Sequence, residues 1–338
     1  MTHALRSLLA LAAVLCTLVV SACGGSSART GPPSSSPPKL ASATLVLDFV
    51  PGAVHAGIYR ALAAGYYRQA GLDLRVVAPG ATQDPLALVE AGRAQFGLSD
   101  GSDLATAIAH GGGAQAVLAI AQRPLGGLIA LASSHLSSPA QLQGRTVGIT
   151  GVPSDRAVLD TVVRHAGGDP ARVHVVNVGF DGAAALLAGR LAAFTGFVPA
   201  DGVQLQVEGH PIVPFRLDDY GGPGYPGLVA FATQHLLASD PALVRGFVSA
   251  TVRGYEDTLR APARSLRDLQ AANPGLDRKF TSASLAAYLP LFTDGGRVPF
   301  GRLVPARLAE LSAWMVRTGL IARPIAPARY GTSGFLPN

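Results

Sequence analysis

The chain has 338 residues, of which 49% are hydrophobic and 14% are charged. This apolar content is enough for two ordinary domains, and the low charge excludes a chain that is disordered throughout. The net charge is +6, but the arginines are scattered and form no basic run, which argues against a nucleic-acid-binding protein.

Residues 1–22 have the composition of a bacterial lipoprotein signal peptide. Arg6 supplies a positive start, and residues 8–20 are apolar apart from Thr17. A run of about a dozen residues is too short to cross a bilayer as a helix, which needs about 20, so it predicts a secretion signal. The signal ends at Val20-Ser21-Ala22-Cys23, which resembles a lipobox and predicts a lipid on Cys23.

Residues 23–42 combine this cysteine with a segment rich in Gly, Ser and Pro. Such a segment cannot bury a core, so it is predicted to be a flexible tether. A lipid followed by a tether predicts a protein anchored to the cell membrane on its extracytoplasmic side. Cys16 is lost with the signal, so the mature chain is expected to have no disulfide, no zinc site and no cysteine nucleophile.

The rest of the chain alternates short strands with helices, which is typical of an α/β fold. The first set of elements predicts strands at residues 44–49, 72–77, 96–99, 117–122 and 128–132 and helices at 56–69, 85–91 and 102–110. The second set predicts strands at 146–149, 173–178, 193–196 and 212–215 and helices at 154–165 and 183–188. Residues 228–233 are predicted to form a strand that returns to the first lobe. Helices are then predicted at 241–259, 262–272, 282–292 and 305–318.

Two such sets predict a bilobed α/β fold with a ligand cleft between the lobes. We assign residues 43–132 and 234–321 to lobe 1, residues 133–233 to lobe 2, and residues 322–338, which show no periodicity, to a C-terminal tail. In open α/β sheets ligands bind beyond the carboxyl ends of the strands, so the loops after the strands are the candidate binding loops.

Four loops therefore supply the candidate site, and most of them lead into a helix N-terminus, where free N–H groups favour polar or anionic atoms. The loops are Val50-Pro51-Gly52-Ala53-Val54-His55, Asp100-Gly101, Gly151-Val152-Pro153 and Phe197-Val198-Pro199-Ala200-Asp201. The candidate ligand-binding residues in and beside them are Asp48, Phe49, His55, Tyr59, Ser99, Asp100, Gly151, Val152, Pro153, Phe197, Asp201 and Tyr225. Taken singly, the glycines and prolines of these loops are equally well explained as turn residues.

Several polar residues have a structural alternative to ligand binding. His55 is either a hydrogen-bonding partner of a ligand or a helix-start histidine bonded locally. Ser154 is predicted to cap the N-terminus of its helix, with Asp155 as a first-turn acid, and Asp103 complements a helix dipole. No pair of histidines has metal-ligand spacing, so neither a metal nor a cofactor is predicted.

The opening of the mature chain carries a specific pattern of residues. Leu47-Asp48-Phe49-Val50-Pro51 is followed by His55, by Gly65-Tyr66-Tyr67 and by Gly71-Leu72-Asp73-Leu74. This pattern resembles the NMT1/THI5-like proteins, and the resemblance extends over residues 43–259 through Val178-Gly179-Phe180-Asp181, Thr195-Gly196-Phe197 and Tyr225-Pro226.

The resemblance implies a type II periplasmic-binding fold. That family includes the substrate-binding proteins of ABC importers for thiamine-pyrimidine precursors and, more distantly, for alkanesulfonates. The implied function is therefore that of a monomeric receptor that clamps a small heteroaromatic ligand for a membrane permease.

Two departures from the family pattern leave the ligand open. Phe49 stands where pyrimidine binders usually have Trp, and residues 196–202 read Gly-Phe-Val-Pro-Ala-Asp-Gly where relatives commonly have Gly-Phe-Trp-Asn-x-Glu-Gly. Asp201 thus takes the place of a Glu. A sulfonate or another small solute remains an alternative ligand.

A pyrimidine-synthase-like enzyme is the alternative from another class. Those relatives use their own histidine as the pyrimidine donor and carry a cysteine-rich motif. This chain has only Cys16 and Cys23, and no nucleophile–base pair or nucleotide-binding glycine motif occurs in its sequence. We therefore expect a binding protein and not an enzyme.

Replacing Cys23 with alanine should release the protein from membranes, because two acyl chains anchor a protein stably where one is marginal. Wild-type protein should sediment with membranes and incorporate labelled palmitate, whereas Cys23→Ala should be soluble or unprocessed. Cys16→Ala, inside the signal, is the matched control and should still be anchored. Wild-type protein that neither sediments with membranes nor takes up the label would contradict the anchor.

Overall fold

The computed structural model describes residues 40–80 and 84–337. The predicted signal peptide, Cys23 and the tether as far as residue 39 lie outside this part of the chain. Within it, no helix is both long enough and apolar enough to cross a membrane.

Four strands of the first sheet come from the start of the chain, and the fifth is added after the chain has passed through the second sheet. Its strands are β1 (Ala41–Val46), β2 (Leu72–Val77), β3 (Phe96–Ser99), β4 (Ala114–Ala121) and β10 (Leu228–Thr233). Their order is β2-β1-β3-β10-β4, and β10 runs antiparallel to both of its neighbours. The helices between the first four strands are α1 (Ala56–Ala63), α2 (Tyr66–Gln69), α3 (Pro85–Glu90) and α4 (Gly101–Ala109). Gly65, whose φ is +70°, divides the helix predicted at 56–69 into α1 and α2.

The second sheet has the same mixed character. Its strands are β5 (Gly126–Leu131), β6 (Thr146–Ile149), β7 (His174–Asn177), β8 (Ala193–Phe197) and β9 (Ile212–Arg216), in the order β7-β6-β8-β5-β9. Its helices are α5 (Ser154–His165), α6 (Gly182–Leu187) and α7 (Val203–Val207). Two α/β sheets in one chain are the predicted bilobed arrangement.

The C-terminal third of the chain is helical. Its helices are α8 (Gln234–Ser239), α9 (Pro241–Arg260), α10 (Pro262–Ala272), α11 (Arg278–Tyr288), α12 (Pro305–Arg317) and α13 (Pro327–Tyr330). The longest, α9, begins at a proline and is capped by Asp240, whose side chain accepts a hydrogen bond from the N–H of Leu243. It packs against α1 at Gly57 and Gly254, where a Cβ on Gly254 would overlap the carbonyl oxygen of Gly57. The first sheet and this bundle therefore form one body.

The C-terminal tail covers the edge of the first sheet. Gly331 forms a parallel bridge with Ala116 of β4, and the buried Tyr330 donates a hydrogen bond to the carbonyl oxygen of Gly101 at 3.0 Å. The tail shows no hydrophobic periodicity because these contacts with the first sheet hold it in place. It does not pack through the apolar face of an amphipathic helix or strand. It protects an edge strand that would otherwise be open to pairing.

The predicted lobe boundaries at residues 132 and 233 are wrong for two strands. β5 was assigned to lobe 1, but it pairs with β8 and β9. β10 fell within the residues assigned to lobe 2, but its pairing with β3 and β4 confirms the expectation that this strand returns to the first lobe. Strands separated by a short connection are usually neighbours in one sheet, which favoured placing β5 beside β4. Here the connection contains Pro124 and carries the chain to the other sheet.

The two crossings between the sheets, residues 122–125 and 217–227, are joined by charged side chains. Arg123 donates from Nε to Oδ2 of Asp218 at 2.6 Å. Arg307 of α12 donates to the carbonyl oxygen of Gln122 at 2.9 Å and to Oδ2 of Asp294 at 2.6 Å. We call these residues the crossing network. It ties both crossings to each other and to the first sheet's body.

A shared apolar cluster also joins the two sheets. Trp314 of α12 is 2% exposed, as expected for a core residue, and its ring stacks on Tyr225 with centroids 6.3 Å apart. Its Nε1 donates to Oγ1 of Thr161 on α5 at 3.0 Å. The indole therefore connects a helix of the C-terminal bundle to a helix of the second sheet.

Candidate ligand-binding site

Loops from the two sheets approach one another beyond the strand ends. Ser154, at the start of α5, donates from Oγ to Oδ1 of Asp103 on α4 at 3.2 Å. Ser284 of α11 donates to the carbonyl oxygen of Pro199, in the turn after β8, at 2.7 Å. The segments that follow β3 and β6 therefore meet, and the turn after β8 contacts α11.

Asp48 and His55 form a connected pair after β1. The Nδ1 atom of His55 accepts from the N–H of Gly52 at 3.0 Å, so Nε2 carries the proton and donates to Oδ1 of Asp48 at 2.8 Å. His55 is 1% exposed. Because both ring nitrogens are bonded locally, His55 orients Asp48, and Asp48 is the group of this pair that remains available to a ligand.

Asp201 lies at the corresponding place in the second sheet. It belongs to a π-helical turn, Val198–Gly202, and its Oδ2 accepts from the N–H of Phe197 at 2.7 Å. Burial raises the pKa of the Asp201 carboxyl, while the hydrogen bond from Phe197 lowers it. Gly196 is required beside it, because a Cβ there would crowd Oδ2 of Asp201.

Asp48 and Asp201 share a neighbour. Burial raises the pKa of Tyr288 well above its ordinary value, and the negative charges of Asp48 and Asp201 raise it further. Both carboxylates therefore lie near this phenol, although they follow strands of different sheets. Tyr288, from α11, was not among the sequence candidates, because the C-terminal helices carry no motif.

Asp100 and Ser99 are bonded within their own loop. Asp100 caps α4, and its Oδ1 accepts from both the N–H and the hydroxyl of Ser102, at 2.7 and 2.6 Å. Ser99 donates to the carbonyl oxygen of Asp100 at 3.2 Å. Burial raises the pKa of Asp100, and the charge of Asp103 adds to the rise.

The start of α5 differs from the prediction. Ser154 does not cap the helix: Pro153 is the capping residue, without a side-chain bond, and the Ser154 hydroxyl reaches across to Asp103. Asp155 lies in the first turn of α5, as predicted, and it also fixes the preceding loop, accepting from the Thr150 hydroxyl at 2.7 Å and from the N–H of Gly151 at 2.8 Å. The signal that was missed is a partner on the other sheet, which sequence spacing cannot show.

The remaining candidates divide between the rim and the core. Gly151, Val152, Pro153 and Phe49 are exposed at the loop surface, and Gly151 needs its φ of +96°. Tyr59 and Tyr225 are buried at 8% and 2% exposure. The two tyrosines therefore build the walls behind the loops.

The comparisons with known proteins identify the family. The profile described as NMT1/THI5 like matches residues 53–265. A formylaminopyrimidine-binding protein from Halalkalibacterium halodurans is 31% identical over 291 residues, which are 85% of this chain and 88% of that protein. The chain belongs to the NMT1/THI5-like family.

Other similar proteins differ from this relative in their named activity or ligand. A 4-amino-5-hydroxymethyl-2-methylpyrimidine phosphate synthase from Legionella pneumophila is 27% identical over 252 residues, covering 74% of this chain and 79% of the synthase. The periplasmic aliphatic sulphonate binding protein of Escherichia coli superposes with a TM-score of 0.67 at 15% identity, covering 86% and 91% of the two chains. This likeness confirms the predicted periplasmic-binding fold.

The acidic candidates of this NMT1/THI5-like site have no basic partners. The carboxylates at the converging loops are Asp48, Asp100, Asp103, Asp155 and Asp201. Within the described residues, none of them forms an ion pair with an arginine or a lysine. The same part of the chain has no group of three or more His, Cys, Asp or Glu side chains placed to hold a metal ion. The site is therefore acidic and offers hydrogen-bond acceptors.

Asp103→Asn should change how stability depends on pH. Burial raises the Asp103 pKa to about 6, the charges of Asp155 and Asp84 add to the rise, and the Ser154 hydrogen bond opposes it. The unfolded carboxyl titrates at about pH 4. Ionisation is therefore harder in the folded state, and wild-type protein should lose stability as pH rises from about 4 to about 7.

An asparagine stays neutral at every pH, so the Asp103→Asn variant should lack this part of the loss. The difference from wild type should reach about 1–2 kcal/mol, since one pKa unit corresponds to about 1.4 kcal/mol and partial exposure screens the charge. Urea unfolding across this pH range measures it, with the exposed Asp73→Asn as control. Parallel wild-type and Asp103→Asn profiles would show that Asp103 ionises normally.

Proposed function

We propose that this protein is the extracytoplasmic solute-binding protein of an ABC importer and that it binds a small, neutral or cationic heteroaromatic molecule such as a thiamine pyrimidine precursor. The observation that carries the proposal is the row of carboxylates without basic partners at strand ends of both sheets. A named formylaminopyrimidine-binding relative supports the same ligand class.

An aminopyrimidine matches the acceptors of this site. It presents an exocyclic NH₂ and a ring nitrogen side by side, and one carboxyl group can address both. The raised pKa of Asp201 favours sharing a proton with the ring nitrogen, while its other oxygen accepts from the NH₂. A charge-assisted bond of this kind contributes about 1.5–3 kcal/mol when it is shielded from water.

An aromatic ring at the rim suits a flat ligand as well. Phe49 follows β1 next to Asp48 and is 47% exposed. Stacking on an aromatic face adds about 0.5–1.5 kcal/mol beyond the area buried. Asp48, held by His55, then supplies a second acceptor near the edge of the ring.

The sulfonate alternative is disfavoured by charge. A sulfonate is a permanent anion, and it would meet Asp48 and Asp201 without a compensating arginine at these loops. Like charges within a poorly hydrated cleft repel strongly. The likeness to the sulphonate-binding protein is one of fold.

The sequence and the state of His55 do not match what a pyrimidine-synthase-like enzyme needs. The sequence has two cysteines, one of them within the predicted signal, so it has no cysteine-rich motif. His55, the histidine that the family pattern points to, has both ring nitrogens engaged. These observations support binding over pyrimidine synthesis.

The proposed place of action is the outer side of the cell membrane. The predicted lipid on Cys23 and the tether would keep the two-lobed body close to its permease, with the protein acting as a monomer. The support for this part of the proposal is the sequence of residues 1–42.

Asp201→Asn tests the ligand class. The variant keeps the size of the side chain and an oxygen for the N–H of Phe197 but cannot carry the charge or the shared proton. Affinity for 4-amino-5-hydroxymethyl-2-methylpyrimidine should fall about tenfold or more, since 1.4 kcal/mol corresponds to one decade. Isothermal calorimetry measures it.

Asp219→Asn, an exposed carboxylate on the crossing, is the control and should bind like wild type. Unchanged affinity in Asp201→Asn would discard the role of this carboxyl. Tight binding of an alkanesulfonate with no binding of the pyrimidine would overturn the ligand class itself.

A further inference from the structure

Two exposed phenyl rings touch across the gap between the sheets. Phe180 is 73% exposed and Phe49 is 47% exposed, yet their centroids lie 5.0 Å apart with the planes inclined by 35°. Phe49 follows β1 of the first sheet, and Phe180 follows β7 of the second. Neither ring is buried in the hydrophobic core, so the contact does not contribute to core packing. It joins a loop of the first sheet to a loop of the second and therefore affects how the two sheets are held relative to each other.

The position of this pair follows from the order of the strands. The crossings leave from β4 and β10 in the first sheet and from β5 and β9 in the second. β7 is the opposite edge strand of the second sheet, and β1 lies on the far side of the first sheet. A rotation about the crossings therefore moves Phe49 and Phe180 apart more than it moves groups near the crossing network.

The loop that carries Phe180 is held firmly. Gly179 has a φ of +57°, and its N–H donates to the side-chain oxygen of Asn177 at 3.0 Å. On the other side, a Cβ on Gly182 would overlap the ring of Phe194. The phenyl ring is thus presented on a tight, fixed turn, which distinguishes it from an exposed side chain on a loose loop.

We propose that Phe49 and Phe180 form a latch at the mouth of the cleft. The rings must separate for a ligand to enter or leave, and their contact stabilises the closed arrangement of the lobes. Phe180 acts through Phe49 and is a positioning residue for the binding site. The inference rests on the proposed function for its purpose, because a latch serves a cleft that holds a ligand.

The first test needs no ligand. Nitroxide labels on Arg75→Cys in β2 and Val176→Cys in β7, both exposed, report the separation of the far edges by double electron–electron resonance. The labelled full-length protein, with Cys16 and Cys23 replaced by serine, should populate without ligand both the short distance that corresponds to contact of the rings and a longer distance that corresponds to open lobes. Phe180→Ala and Phe49→Ala should each shift the distribution to longer distances, and the double variant should add little to either.

Two further variants make the result specific. Leu187→Ala removes another exposed apolar side chain, 40% exposed at the end of α6, and should leave the distances unchanged. Phe180→Tyr keeps the ring and should restore the wild-type distribution. A Phe180→Ala distribution identical to that of wild type, in a variant with an unchanged melting temperature, would overturn the latch.

The second test measures exchange of 4-amino-5-hydroxymethyl-2-methylpyrimidine by stopped flow. Phe180→Ala should raise the dissociation rate constant about 2- to 12-fold, the factor to which an aromatic pair corresponds. An unchanged rate constant would show that the pair does not control release. If the distances shift but this pyrimidine does not bind, the latch stands and the proposed ligand class fails.

Discussion

The bond between Arg123 and Asp218 is the constraint on which the relation of the two sheets depends. Arg123 lies on the first crossing and Asp218 on the second. The Asp218 side chain is 4% exposed, so losing Arg123 would leave this buried carboxylate with only the longer ion pair to Arg216, at 3.5 Å. Arg307 and Asp294 extend the bond to α12 and to the backbone of Gln122. Both crossings are thereby held together at one side of the molecule, and relative movement of the sheets is left to the far side.

This arrangement accounts for the position of the candidate site and for the kind of ligand group that its carboxyl groups suit. Residues that follow the carboxyl ends of strands in the two sheets come into contact, although they lie far apart in sequence. The charges of Asp48 and Asp201 both raise the pKa of Tyr288, and Asp103 accepts a hydrogen bond from Ser154. Burial raises the pKa of Asp201 and Asp103, which makes these groups partners for a ligand that brings a hydrogen-bond donor or a positive charge.

Local features were predictable from the sequence, and distant pairings were not. β2, β3 and α5 begin and end at the predicted residues because apolar periodicity, glycine and proline are local signals. The carboxylates after strands were found for the same reason, together with the family pattern. The sheet to which β5 belongs, the partner of Ser154 and the pairing of Phe49 with Phe180 depend on contacts between residues separated by 50 or more positions. No spacing rule within one segment encodes such contacts.

The central claim is that two lobes, fixed at the crossing network, close on a small heteroaromatic ligand. Small-angle X-ray scattering with and without 4-amino-5-hydroxymethyl-2-methylpyrimidine tests it most directly, at concentrations where calorimetry shows the site to be saturated. A hinged clamp predicts a smaller radius of gyration with the ligand, because closure draws the far edges of the sheets together. An identical scattering profile with the ligand bound would contradict closure and leave a rigid pocket.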